Sequence, residues 1–167
     1  HLTYSYLKQL PLLTPKNFDT IVPWKSNSSL ANWLFPRILE LLYTAEDMRP
    51  FAHEMGYDGD PFPWDEKRRF ALRAELDAAF FHLYLPAEPD GRWRKAVNES
   101  ETDYRELTAV FPTPRHAVDY IMETFPIKKK NDLKAYTSYR TKEAILQNYD
   151  AMLAAIRSGK NWKSPLL

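Results

Sequence analysis

Lys128, Lys129 and Lys130 follow directly on Phe125-Pro126-Ile127, and Lys134, Arg140 and Lys142 come soon after. Cations this close in sequence could line a groove beside DNA. Each phosphate they neutralised would steepen the salt dependence of duplex binding by about 0.9 in the log–log slope. Such contacts position a duplex and specify no base. The same residues serve equally as the wet surface of a loop between two helices and of an exposed helix face. The charge pattern by itself leaves both readings open.

Other chemistry finds less support. The histidines His1, His53, His82 and His116 form no HxH or HxxxH pair, so a metal site has no anchor, and "HEM" at 53–55 lacks the second histidine of a zincin helix. Each is expected on a helix surface or partly packed. Asp58, Asp60, Asp65 and Glu66 cluster, but the first two sit on a Gly/Pro turn and the others at a helix start. Turn-making and capping explain them better than a Mg²⁺ site, which needs carboxylates converging from adjacent strands. Gly56, Gly59, Gly91 and Gly159 are too scattered for a phosphate loop, and no G-x-S-x-G elbow occurs. Trp33, Trp64, Trp93 and Trp162 could stack bases, though core packing is the default role of such side chains.

The 167 residues are enough for one domain with a real core, and the balance of 44% hydrophobic to 27% charged residues is that of a globular chain. Four glycines are few for an all-β protein, while 13 prolines predict helices punctuated by ordered connections. The chain has no cysteine, which excludes disulfides, thiolate metal sites and a cysteine nucleophile, and fits a reducing, cytoplasmic setting. No apolar run reaches the roughly 20 residues that span a bilayer, so no membrane partner is expected. Charge is uneven. Residues 1–127 carry 14 Lys/Arg against 19 Asp/Glu, whereas residues 128–167 carry nine against three.

The elements follow from periodicity and punctuation. Residues 1–27 read as extended, with a short strand conceivable near residues 3–7 that lacks a partner, because Pro11, Pro15 and Pro23 interrupt any helix. From Ser29 a helical stripe begins: Leu30, Leu34, Ile38 and Leu41, with Pro36 inside it predicting a kink or a late start. Thr44 and Asp47 have capping-box spacing and predict a second helix that closes at Gly56. Asp65 caps a third, with Leu72, Leu76, Ala79, Phe80 and Leu83 as its apolar stripe. Residues 86–112 are a polar excursion with a short helix at 101–109. Thr113-Pro114 opens a helix whose buried stripe is Val118, Ile121, Met122 and Phe125, ended by Pro126. A last helix runs from about Ser138 to Gly159, carrying Ile145, Tyr149, Met152, Leu153 and Ile156. The two long stripes are expected to bury against each other and against Trp33, Phe51 and Phe70. The fold class is mostly α: an irregular domain of about five helices with Pro-rich loops.

Three stretches carry a resemblance. "YDGDPFPWDEKRRFALRAELDAAFFHLY" (57–84), "FPTPRHAVDYIMETFPIKKK" (111–130) and "YRTKEAILQNYDAM" (139–152) resemble, in order and spacing, the C-terminal region of large single-chain bacterial N6-adenine DNA methyltransferases of restriction–modification and phage-defence systems. "WLFPRILELLYTAEDMRPFAHEMGYDG" is similar to the preceding part of that region. "KQLPLLTP" (8–15) resembles the segment that leaves the target-recognition part, and "GKNWKSPLL" resembles the family's last segment loosely.

The resemblance implies a piece of a longer polypeptide. Residues 1–27 would end a preceding target-recognition region and residues 28–167 would form a helical C-terminal domain. Those enzymes bind S-adenosylmethionine and hold the extruded adenine with an Asn/Asp-Pro-Pro-Tyr/Phe motif. This sequence has no Pro-Pro dipeptide and no GxG cofactor loop, so the reaction centre would lie upstream of His1 and this part would carry no cofactor of its own. No family catalytic residue can be placed on any position here. The family's two basic residues and an acid before "YRTK" would fall on Lys129, Lys130 and Asp132. Implied partners are double-stranded DNA, reached through the parent protein, and the upstream methyltransferase and recognition domains. The module would either seat DNA or brace the recognition domain. A helical module that binds another protein and never touches DNA remains the alternative.

Overall fold

The computed structural model describes residues 12–167. The strand considered near residues 3–7, and residues 1–11 of the expected extended segment, lie outside them. The described chain is mostly α, with seven α-helices and, in place of strands, two isolated bridges, Ile21 to Ser29 and Ala87 to Trp93. None of these helices is long and apolar enough to cross a membrane.

Helix α1, Leu30–Leu42, starts where a serine can serve its free N–H groups: Ser29 Oγ accepts from Asn32 N at 3.2 Å. The helix begins before Pro36 and runs through it, with the proline on the exposed side. Its buried face turns slightly from the expected stripe, taking in Trp33 and Arg37 beside Leu30 and Leu34. Thr44 caps nothing. A single 3-10 turn, Glu46–Met48, comes first, and α2 (Arg49–Glu54) starts later because Pro50 suits its first turn. Gly56, at φ 76°, closes it as its spacing predicts.

Helix α3 spans Glu66–Tyr84, and Asp65 Oδ1 accepts from Lys67 N (2.9 Å) and Arg68 N (3.0 Å). Ser100 opens α4 (Glu101–Val110) and Thr113 opens α5 (Pro114–Glu123) by the same device. Phe125 departs from the predicted stripe. α5 stops at Glu123, the backbone turns at Thr124, and Phe125 emerges half exposed while Val118 and Met122 stay buried.

Residues 126–136, read from sequence as a loop, form helix α6 (Pro126–Tyr136). A proline at the first helical position gives up an N–H that would have had no partner anyway, so Pro126 starts a helix while ending the one before it. Lys128 and Asp132, one turn apart, pair at 3.3 Å, and Thr137 at φ 62° ends the helix. Helix α7, Arg140–Ser158, then runs to Gly159 at φ 64°; Asp132 Oδ2 accepts from its Thr141 N at 2.7 Å.

The core lies along the crossing of α3 and α7. Ala74 and Ala78, small residues one turn apart on α3, let α7 approach and bring Ile145, Tyr149 and Met152 into the interior. Leu76, Phe80 and Leu83, expected at the centre of the stripe, flank this contact partly buried. His82, expected on a helix surface or partly packed, is buried. Its Nε2–H donates to the Tyr149 carbonyl at 3.0 Å, and its ring stacks on Tyr149 at 4.0 Å. Burial pushes its pKa down to about 4, so the ring is neutral near pH 7. Val22 and Trp24 reach into the same core from residues 12–27: Trp24 meets Trp33 edge-on at 5.3 Å, and its carbonyl accepts from Trp162 N at 2.8 Å. Phe51 packs instead in a smaller cluster with Leu39, Tyr43 and Ala52.

One buried ion pair ties three segments together. Arg37 of α1 and Glu75 of α3 meet at 3.0 Å with side chains 5% and 1% exposed. Ser164 of the C-terminal tail donates to the other Glu75 oxygen at 2.6 Å, and the Arg37 guanidinium lies 3.7 Å from the Trp33 ring centroid. Removing one partner leaves the other charge buried and alone. Glu75→Leu is therefore expected to destabilise the chain by about 3–5 kcal/mol in urea unfolding, while adding Arg37→Met recovers most of that loss.

Candidate docking groove

The six basic residues singled out from sequence do not share one surface. Three are in ion pairs. Lys129 reaches Glu123 at 2.6 Å. Lys142 reaches Glu123 at 2.6 Å and Asp119 at 3.0 Å, its side chain only 16% exposed. Lys128 pairs with Asp132. Among the described residues Arg140 has no carboxylate partner; its guanidinium lies 3.9 Å from the centroid of Phe70 and 4.7 Å from that of Tyr136. Lys130 and Lys134, one turn apart on the outer face of α6, are exposed and unpaired among the described residues.

Lys129 and Lys142 belong to a continuous chain of charges. Asp150 binds Arg115 at 2.7 Å, Arg115 approaches Asp119 at 3.7 Å, and Asp119 and Glu123 share Lys142. This chain stitches α5, α6 and α7 where apolar burial is thin: Asp132 is the one residue of α6 that is buried. Hydrogen bonds from Lys129 and then Lys142 hold the Glu123 carboxyl down at about 2.

The open feature is a groove along α3. Helices α3 and α6 both rest on α7 and stand apart from each other as two walls. One end, of about 760 Å³, is lined by Lys67, Phe70 and Arg73 of α3, Tyr136 of α6 and Arg140 of α7. The other, of about 560 Å³, is lined by Phe80, Phe81 and Tyr84 of α3, Ile121 and Phe125 from the α5 side, and Ile145. Asp77, Lys128 and Thr141 border both ends. Apolar surroundings push the Asp77 carboxyl up, against the pull of Arg73.

Lys67, Arg73 and Asp77 were missed in the sequence, and Phe70, expected in the core, lines the groove instead. Their spacing of three, three and four puts them on one side of a helix, which is a legible signal. It was hidden because the stripe beside it is far more apolar, and because the opposite wall is α6. Among the described residues no group of three or more His, Asp or Glu side chains converges as a metal site would require. The chain matches no protein family, no characterised protein and no solved structure.

The charge chain yields a pH dependence whose sign is fixed. A carboxylate whose folded pKa lies below its unfolded value of 4.5 adds stability above that value and loses it as pH falls toward about 2. Glu123→Gln should therefore be less stable than wild type at pH 6 by a roughly constant margin down to about pH 4.5. The margin should vanish by about pH 2, and thermal melts across that range read it directly.

Proposed function

We propose that the chain is a non-catalytic C-terminal module of a DNA adenine methyltransferase of a restriction–modification or phage-defence system, and that it braces the target-recognition part of that enzyme. The resemblance of residues 57–84, 111–130 and 139–152 supports the parent enzyme. The bracing role rests on one observation: three of the six basic residues are paired with carboxylates of the domain itself, while the groove between α3 and α6 leaves aromatic surface open. A module shaped to hold a phosphate backbone would leave its cations free. S-adenosylmethionine would be bound by the upstream catalytic part of the enzyme.

A second reading, direct seating of DNA, draws on Lys130 and Lys134, which face outward without ion-pair partners among the described residues. The two readings differ in a number. Lys130, Lys134 and Arg140, the three without a carboxylate partner among the described residues, give a log–log salt slope no steeper than about −3, whereas six cations acting together give about −5. Titrating this chain with a short generic duplex between about 50 and 200 mM salt measures that slope. Weak binding with the shallow slope, or none, is expected; the steep slope would move the assignment to DNA seating.

A further inference from the structure

The groove has the dimensions and polarity of a helix site. From Phe70 to Tyr84 its α3 wall extends about 21 Å at 1.5 Å per residue, close to four helical turns. Both walls and the floor are helices, whose backbone hydrogen bonds are internal, so an extended segment would find no sheet edge to pair with. An occupant must satisfy its own backbone, as a helix does.

Charge then selects among helices. At the polar end Lys67, Arg73 and Arg140 have no carboxylate partner among the described residues. Of the acids nearby, Glu66 accepts from Trp64 Nε1 at 2.7 Å, Asp132 holds Lys128 and Thr141 N, and Asp77 lies one turn beyond Arg73 toward the apolar end. Stacking on Phe70 and Tyr136 fixes the Arg140 guanidinium, and none of its N–H groups has an acceptor among the described residues. At the other end, Phe80, Phe81 and Phe125 offer a phosphodiester no donor, and the polar donors are the Tyr84 hydroxyl, Thr141 and the Asp132-paired Lys128. We propose that the groove receives an amphipathic helix of about four turns, its apolar side against Phe80, Tyr84 and Phe125 and its acidic end over Lys67, Arg73 and Arg140. This rests on the bracing role and names the chemistry of the segment braced.

The test is a display selection of random peptides of about 16 residues, four helical turns, on the immobilised chain. Enriched sequences are expected to place apolar residues at helical spacing and Asp or Glu at one end. A synthetic peptide of the enriched type should lose about tenfold in affinity with Lys67→Glu/Arg73→Glu, and again with Phe125→Ser. All three positions are exposed, so circular dichroism should show an unchanged helical fold. No enrichment, enrichment without acidic residues, or equal affinity for the charge-reversed chain would overturn this proposal and leave the bracing role standing. A duplex that displaces the peptide, with the same dependence on Lys67 and Arg73, would overturn both.

Discussion

The crossing of α3 over α7 sets the position of every other part of this chain. Ala74 and Ala78 allow the two long helices to meet closely, and Ile145, Tyr149 and Met152 fill the contact. Each large side chain buried this way contributes about 1.5–3 kcal/mol, so a few of them outweigh the exposed ion pairs, which are worth about 0–1 kcal/mol apiece. With α7 covered on one side by α3 and on another by α6, the surface between those two helices stays open. The groove is thus a consequence of packing two walls on one floor.

The basic surplus of residues 128–167 takes its meaning from this arrangement. On a string of residues it looks like a cationic patch. In the fold, α6 buries almost nothing apolar, and its position depends on Lys129–Glu123, on Asp132 accepting from Thr141 N of α7, and on the Arg140 stack against Tyr136. Lys129 ties this lightly packed helix to Glu123, which with Asp119 and Asp150 also engages Lys142 and Arg115 of the neighbouring helices. Raising salt would weaken these contacts along with any contact to phosphate, since the same screening acts on both.

How much could be read beforehand varied with the range of the interaction. Helix starts at Ser29, Asp65 and Thr113 and the stop at Gly159 were legible because capping is local and depends on one or two residue types. Helix α6 was not, because Pro126 can both end a helix and begin one, and the lysines after it carry no apolar period. The rotation of the α3 face toward Ala74 and Ala78 was hidden as well, since alanine contributes little to an apolar stripe but decides how closely two helices approach. Arg37 and Glu75 stand 38 positions apart, and nothing local marks either as a buried partner of the other. The cationic half of the groove went unread, although Lys67, Phe70 and Arg73 fall on one helix side. Its other wall existed only once α6 was in place.

If the open face of α3 and α6 is an interface, its aromatic residues should be reactive in this chain alone and shielded in the longer polypeptide to which we assign it. Hydroxyl-radical footprinting of Tyr84, Phe125 and Tyr136, exposed here by 41%, 50% and 52%, compares the two directly. The account predicts strong protection of all three in the longer protein, with the exposed Val97, outside the groove, unchanged. Equal reactivity of the three aromatics in both forms would contradict it.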